Sequence, residues 1–204
     1  MSPRTRAAHL GPDVRRPLVL DAALPLFARE GYDAVSMQAI ADAAQVSKPV
    51  LYSCFASKEE LFDQLARRED RRLWELVSSS IPRHDDGDGI EARLQATLAA
   101  LLRAVETMPD AFRVLYVQAY GEDRIERGRA HWHERLREIV ASRSGRPGRE
   151  IAILARLLVA CAELGFAAML EEPRDWQADE LATFLARTAM RGILASAPPA
   201  PRLA

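Results

Sequence analysis

Residues 36–55, SMQAIADAAQVSKPVLYSCF, hold two short helical patterns with a tight turn between them, and that spacing restricts what the chain can become. Ser36 is a good N-cap, and Met37, Ile40, Ala41 and Ala44 follow at helical spacing. The pattern breaks at Gln45-Val46. Ser47 then offers a second N-cap ahead of Lys48, Pro49, Val50, Leu51, Tyr52 and Phe55. Pro49 suits a first helical turn, where its missing N–H removes no intrahelical bond. Helices this short, joined by so few residues, cannot lie antiparallel over a shared core. They cross steeply and leave the second helix propped outward, which is a helix-turn-helix.

The second helix carries too many polar side chains to be a packing element alone. Val46, Leu51 and Phe55 can point inward, but Ser47, Lys48, Tyr52 and Ser53 cannot all follow them. These are hydrogen-bonding groups of the kind that meet phosphates and base edges; the plainer alternative is a solvated helix face. Bulk charge does not decide between them. The chain has 28 basic and 29 acidic residues, a net charge of −1, which argues against a nonspecific nucleic-acid coat. Local placement is more informative, because the stretch from Ala43 to Lys58 holds two lysines and no acid. Lys48 and Lys58 are the only lysines of the chain, and the other 26 basic residues are arginine. A compact ammonium on a flexible stem suits a phosphate contact.

The flanking residues sharpen the assignment. Arg16 to Phe62, RPLVLDAALPLFAREGYDAVSMQAIADAAQVSKPVLYSCFASKEELF, resembles the DNA-binding region of the TetR family of transcriptional regulators. The matching residues are Val19-Leu20, Ala22-Ala23, Leu26-Phe27, Gly31-Tyr32, Ser36, Ile40-Ala41, Ala44, Val46-Ser47-Lys48, Leu51-Tyr52, Phe55, Ser57-Lys58-Glu59 and Leu61. Three positions depart from the family pattern. Pro25 should kink the first helix, which is expected to start near Pro17 and to end at Gly31 in a left-handed C-cap. Gln45 stands in the turn where the family commonly has glycine. Cys54 replaces a larger polar or aromatic residue, which weakens one expected phosphate contact.

The rest of the chain reads as all-α. No apolar run approaches the ~18 residues of a membrane span, and the N-terminus lacks the apolar core of a signal peptide, so a cytoplasmic protein with no membrane association is expected. Cys54 and Cys161 form no metal or redox spacing. Residues 1–14 read as a flexible arm whose Arg4 and Arg6 either reach DNA or belong to a non-binding tail. Residues 15–60 form the three-helix DNA-binding domain, 61–195 a helical effector-binding and dimerisation domain, and 196–204 a disordered tail. Ser57 and Glu60 make a capping box at the head of a long helix running to about Ser80, on which Arg67, Arg68, Glu69, Asp70, Arg71 and Arg72 read as a solvated face. The HDDGDG loop fails as a calcium site, since His84 and Gln95 fall where liganding carboxylates are needed. Helices are expected over 90–107, 109–120, 122–143, 149–170 and 175–195. His131 and His133 face apart, and neither a metal nor a cofactor is expected.

The resemblance implies a homodimeric regulator, most simply a repressor released from a palindromic double-stranded DNA operator by a small-molecule effector. On this reading Ser36, Ser47, Lys48, Pro49, Tyr52, Ser53 and Lys58 meet DNA, with Tyr52 and Lys58 at phosphates and Ser47, Lys48 and Pro49 near bases. Leu154, Leu158, Cys161, Gly165, Leu181, Phe184, Leu185 and Thr188 fall on the last two helices, which form the dimer seam in the family. An apolar effector would meet Trp74, Phe112, Tyr116, Tyr120, Trp132, Phe166 and Met169, each of which also suits ordinary core. Two rivals remain: a helical protein-interaction module without DNA binding, and an enzyme, for which the sequence offers no nucleophile elbow, phosphate-binding glycine loop or converging carboxylates.

Overall fold

A computed structural model describes residues 11–81, 89–117, 130–132, 134–138, 148–171 and 175–195, among which there is no strand. The principal helices are α1 (Pro12–Ala34), α2 (Met37–Ala43), α3 (Lys48–Cys54), α4 (Lys58–Ser80), α5 (Ile90–Thr107), α6 (Pro109–Phe112), α7 (Gly148–Leu170) and α8 (Ala178–Ala195). A single π-helical turn, Arg113–Val117, follows α6 directly. No described helix is long and apolar enough to cross a membrane. The arm at 1–10, the loop at 82–88, Tyr120, His133 and the tail from 196 lie outside the described residues.

Helix α1 starts at Pro12, earlier than the expected Pro17, because Pro12 itself supplies the first-turn φ after Gly11. Its dihedrals stay helical through Pro25 and depart only at Gly31, with φ 81 and ψ 166. Pro25 and Asp21 are both exposed, so water can take the Asp21 carbonyl that Pro25 leaves unbonded. Gly31 is no left-handed cap. Its φ is positive, but its ψ is extended, a combination that only glycine adopts freely.

The described residues up to Glu75, with those from Met108, make one compact unit. Its core holds Val19, Ala23 and Phe27 of α1, Met37, Ile40 and Ala41 of α2, and Leu51 and Cys54 of α3. Leu61, Phe62 and Leu65 of α4 and Val114 of the π turn complete it, so packing continues past residue 60. Phe62 meets Phe27 and Tyr32 edge-on, with centroids 5.0 and 5.1 Å apart.

The charged block on α4 departs from expectation. Glu69 is fully buried: it shares the α4 face of Leu65 and Leu73, four residues to either side. Its Oε1 accepts from Arg68 Nε at 2.7 Å, and Arg68 Nη1 also reaches Asp21 Oδ1 (2.8 Å) and the Pro17 carbonyl (3.3 Å) on α1. Arg67, Arg71 and Arg72 are exposed, as expected.

The described residues from Leu76 to Thr107 and from His131 onward form the second unit, in which α5 packs against α7 and α8. Arg103 pairs with Asp179, Gln95 Nε2 donates to Thr183 Oγ1 (2.8 Å), and the Glu106 carboxylate caps the α8 N-terminus at Ala178 N (3.2 Å). A side chain at Gly165 would bring its Cβ within 2.6 Å of Leu102 Cδ2 and 3.3 Å of Leu185 Cδ1. The close approach that Gly165 permits is therefore made within the chain.

Candidate nucleic-acid interface

Helix α2 is anchored by Ser36, whose Oγ accepts from Ala39 N at 3.1 Å. That bond uses a lone pair and leaves the exposed hydroxyl's proton for an external acceptor. The end of α2 is a Schellman turn: Val46 N donates to Ala41 O (2.9 Å) and Gln45 N to Asp42 O (3.1 Å). Gln45 takes the left-handed position with φ 56, the sole non-glycine of positive φ among the described residues. The turn thus adopts the conformation that glycine serves in the family.

Ser47 caps α3 with extended dihedrals, and its side chain makes no capping bond. Leu51, Cys54 and Phe55 are at most 2% exposed and fix the inner face. Ser47, Lys48, Pro49, Tyr52 and Ser53 are exposed on the outside, and Lys48 and Tyr52 share one stripe at i, i+4. Neither Lys48 nor Tyr52 is bonded to a described residue, so both remain free for a ligand. Ser53 is less free, because its Oγ donates to Val50 O at 2.7 Å and retains only acceptor capacity.

Lys58 departs from its expected role. Its Nζ donates to the carbonyls of Tyr32 (2.8 Å), Val35 (3.0 Å) and Asp33 (3.4 Å), and it lies 4.4 Å from the centroid of the Tyr32 ring. An ammonium has three donors, and all three are taken up by the carbonyls at the end of α1. Lys58 is thus a clamp between α1 and α4 rather than a phosphate ligand. Arg16 does the same for the recognition helix: its Nε donates to Cys54 O, at the C-terminus of α3, at 3.1 Å. The capping box holds, with Ser57 Oγ accepting from Glu60 N (3.1 Å), although the Glu60 carboxylate returns to Ala56 N (2.7 Å).

Two residues that were not among the expected DNA contacts lie beside this surface, Gln45 having been noted only as a departure in the turn. Gln38 and Gln45 line a cleft of about 450 Å³ between α2 and α3, together with Asp42, Val46, Ser47, Lys48 and Val50. Gln38 Nε2 donates to Asp42 Oδ1 at 3.1 Å. Its place at N2 of α2, just after the Ser36 cap, is the signal that could have found it. For Arg16 there was no such signal, since its bond spans 38 positions.

The other expected sites divide between the units. Trp74, Phe112 and Tyr116 belong to the first, where Phe112 and Tyr116 stack at 5.5 Å across the start of the π turn. Trp132, Phe166 and Met169 are buried in the second. Of the expected seam, Leu158, Cys161, Gly165 and Leu181 are buried in their own chain, Leu185 is half-buried, and Phe184 and Thr188 are exposed. The Leu154 side chain is outside the described set. The outward stripe of α7 instead carries Ile153, Ala160, Leu164 and Ala167, with Ile153 63% and Leu164 67% exposed. No group of His, Cys, Asp or Glu among the described residues is arranged to hold a metal.

A buried three-helix core, a Schellman turn and a short outward helix with a polar face define a helix-turn-helix DNA-binding protein. Residues 19–65 match the family described as bacterial regulatory proteins, tetR family. The chain is 35% identical over 115 residues to the HTH-type transcriptional activator FasR of Mycolicibacterium smegmatis, covering 56% of this chain and 51% of that protein. It is 35% identical over 95 residues to the HTH-type transcriptional repressor KstR of Rhodococcus jostii, covering 47% and 42%. These matches span about half the length of the curated relatives, or less. In structure it is similar to a TetR-like transcriptional regulator from Rhodococcus sp. RHA1, with a TM-score of 0.71 and 29% identity over 93% of this chain and 100% of that one. The chain carries at residues 19–65 a DNA-binding region of the TetR family, and its fold is similar to that of a TetR-like regulator.

Proposed function

We propose that the chain is a transcriptional regulator that binds a palindromic operator as a homodimer, and that it acts as a repressor relieved by a small molecule. The observation that carries the DNA-binding reading is the free stripe of Lys48 and Tyr52 on α3, beside the exposed Ser47 and Pro49 and clear of any acid from Ala43 to Lys58. Phosphate contacts supply most of the affinity, and Ser36 and Tyr52 are placed to donate to them. Lys48, at the N-terminus of α3, is placed for base edges as well. The two relatives regulate in opposite senses, one an activator and one a repressor; repression is the simplest outcome of a dimer occupying an operator.

The second copy would dock on the α7 stripe of Ile153, Leu164 and the small Ala160 and Ala167, together with Phe184 and Thr188 of α8. Three large apolar side chains, Ile153, Leu164 and Phe184, are more than half exposed there, which a partner surface would relieve. An apolar effector would be met by side chains among Trp132, Phe166 and Met169 of the second unit. The test is a gel-shift on the promoter region of the adjacent genes, repeated with candidate ligands. Retarded DNA released by one of them supports the reading. Failure to retard any fragment overturns the DNA-binding assignment and favours a protein-interaction module.

A further inference from the structure

Gln45 occupies a position where its backbone is strained and its side chain is idle. A non-glycine residue at φ 56 costs on the order of 1 kcal/mol relative to glycine. The residue is exposed, and its carboxamide makes no hydrogen bond to any described residue. Packing does not require it either, since the Schellman bonds at Ala41 and Asp42 use only backbone atoms. The chain thus keeps a residue that weakens its fold and gains nothing inside it. Strain that local structure does not explain points to function.

The surroundings say which function. Gln45 lines the cleft between α2 and α3 that also holds Ser47 and Lys48, the first residues of the outward helix. Lys48 is cationic, exposed and free, so DNA drawn to it passes the mouth of the same cleft. A glutamine amide carries a donor and an acceptor side by side, the pair that matches N7 and N6 of adenine in the major groove. We infer that Gln45 is a specificity-determining DNA contact, reading one base pair in each operator half-site. This deepens the proposed function and rests on it.

The experiment uses the full chain and a duplex selected from random DNA by the wild-type protein. Wild type, Gln45→Gly and Gln45→Ala are compared for thermal midpoint and for affinity to that duplex and to each of its single-base-pair variants. Gln45→Gly should unfold at the same temperature or higher. It should nonetheless bind the selected duplex more weakly, by about fivefold to a hundredfold, and lose discrimination at one base pair per half-site alone. Gln45→Ala should show the same loss of discrimination with no gain in stability. Unchanged preference at every base pair overturns the inference, whether affinity is retained or falls uniformly, because a uniform loss marks a phosphate contact or a shifted helix. Selection that recovers no preferred DNA with wild type overturns the DNA-binding reading itself, a distinct failure.

Discussion

Lys58 and Tyr52 make opposite demands on the same kind of experiment. The Lys58 ammonium satisfies three carbonyls at the end of α1, so Lys58→Met strips hydrogen bonds to a charged group. A stability loss of roughly 1–3 kcal/mol is expected, read as a lower thermal midpoint. The slope of log affinity against log salt should stay as in wild type, since no phosphate contact is removed; a slope shallower by about one unit per subunit would return Lys58 to the DNA. Tyr52→Phe should leave the midpoint in place and weaken binding to all sequences alike; a changed operator preference would contradict its assignment to phosphate. Lys48→Ala should both weaken binding and alter preference. In the second unit, burial pushes the Cys161 thiol up, so at neutral pH little thiolate is present to react. Alkylation of Cys161 by iodoacetamide should therefore wait on unfolding; rapid labelling of the folded protein would show the site to be open.

At the scale of the elements, the helices were legible where local chemistry alone decides them. The Ser36 and Ser57 caps, the α2–turn–α3 spacing, and the extents of α4 and α5 all follow from caps, breakers and apolar period. The break at Gly31 was likewise written in a single residue, though its ψ was not, whereas the positive φ at Gln45 was hinted at only by the glycine that the family commonly has there. What could not be read is what depends on partners far along the chain. Lys58 looked like a phosphate ligand because its carbonyl partners lie 23 to 26 residues away. Glu69 looked solvated as one of a run of charges, whereas its angle on α4 places it with Leu65 and Leu73, where Arg68 and Arg72 pair with its Oε1 (2.7 and 3.6 Å) and Arg68 is itself held by Asp21 and the Pro17 carbonyl far along the chain. Gly165 looked like part of a seam between copies because the last two helices form one in the family, and sequence does not say which neighbour a glycine lets approach. Gly31→Ala tests the element junction: a side chain at φ 81, ψ 166 should cost roughly 1–3 kcal/mol of stability, and an unchanged midpoint would mean that the α1–α2 connection relaxes at little cost.

For the whole molecule, the proposed function links DNA reading to self-association, because a seven-residue recognition helix makes too few contacts to hold DNA tightly alone. Two heads on one palindrome should sit with half-site centres about 34–36 Å apart, or a multiple of that. Leu164 is 67% exposed, so Leu164→Arg should spare the monomer's fold while placing a charge in the proposed seam. Gly165→Arg should instead damage the fold, since its neighbours are Leu102 and Leu185 of the same chain. The most direct measurement is sedimentation of wild type and Leu164→Arg, alone and with the selected palindrome or a single half-site. The expected result is a wild-type dimer that prefers the palindrome strongly, and a folded, helical Leu164→Arg monomer whose affinity for the palindrome falls to that for the half-site. A Leu164→Arg protein that stays dimeric and binds the palindrome as wild type does, or a wild type indifferent to DNA sequence, is the contrary result.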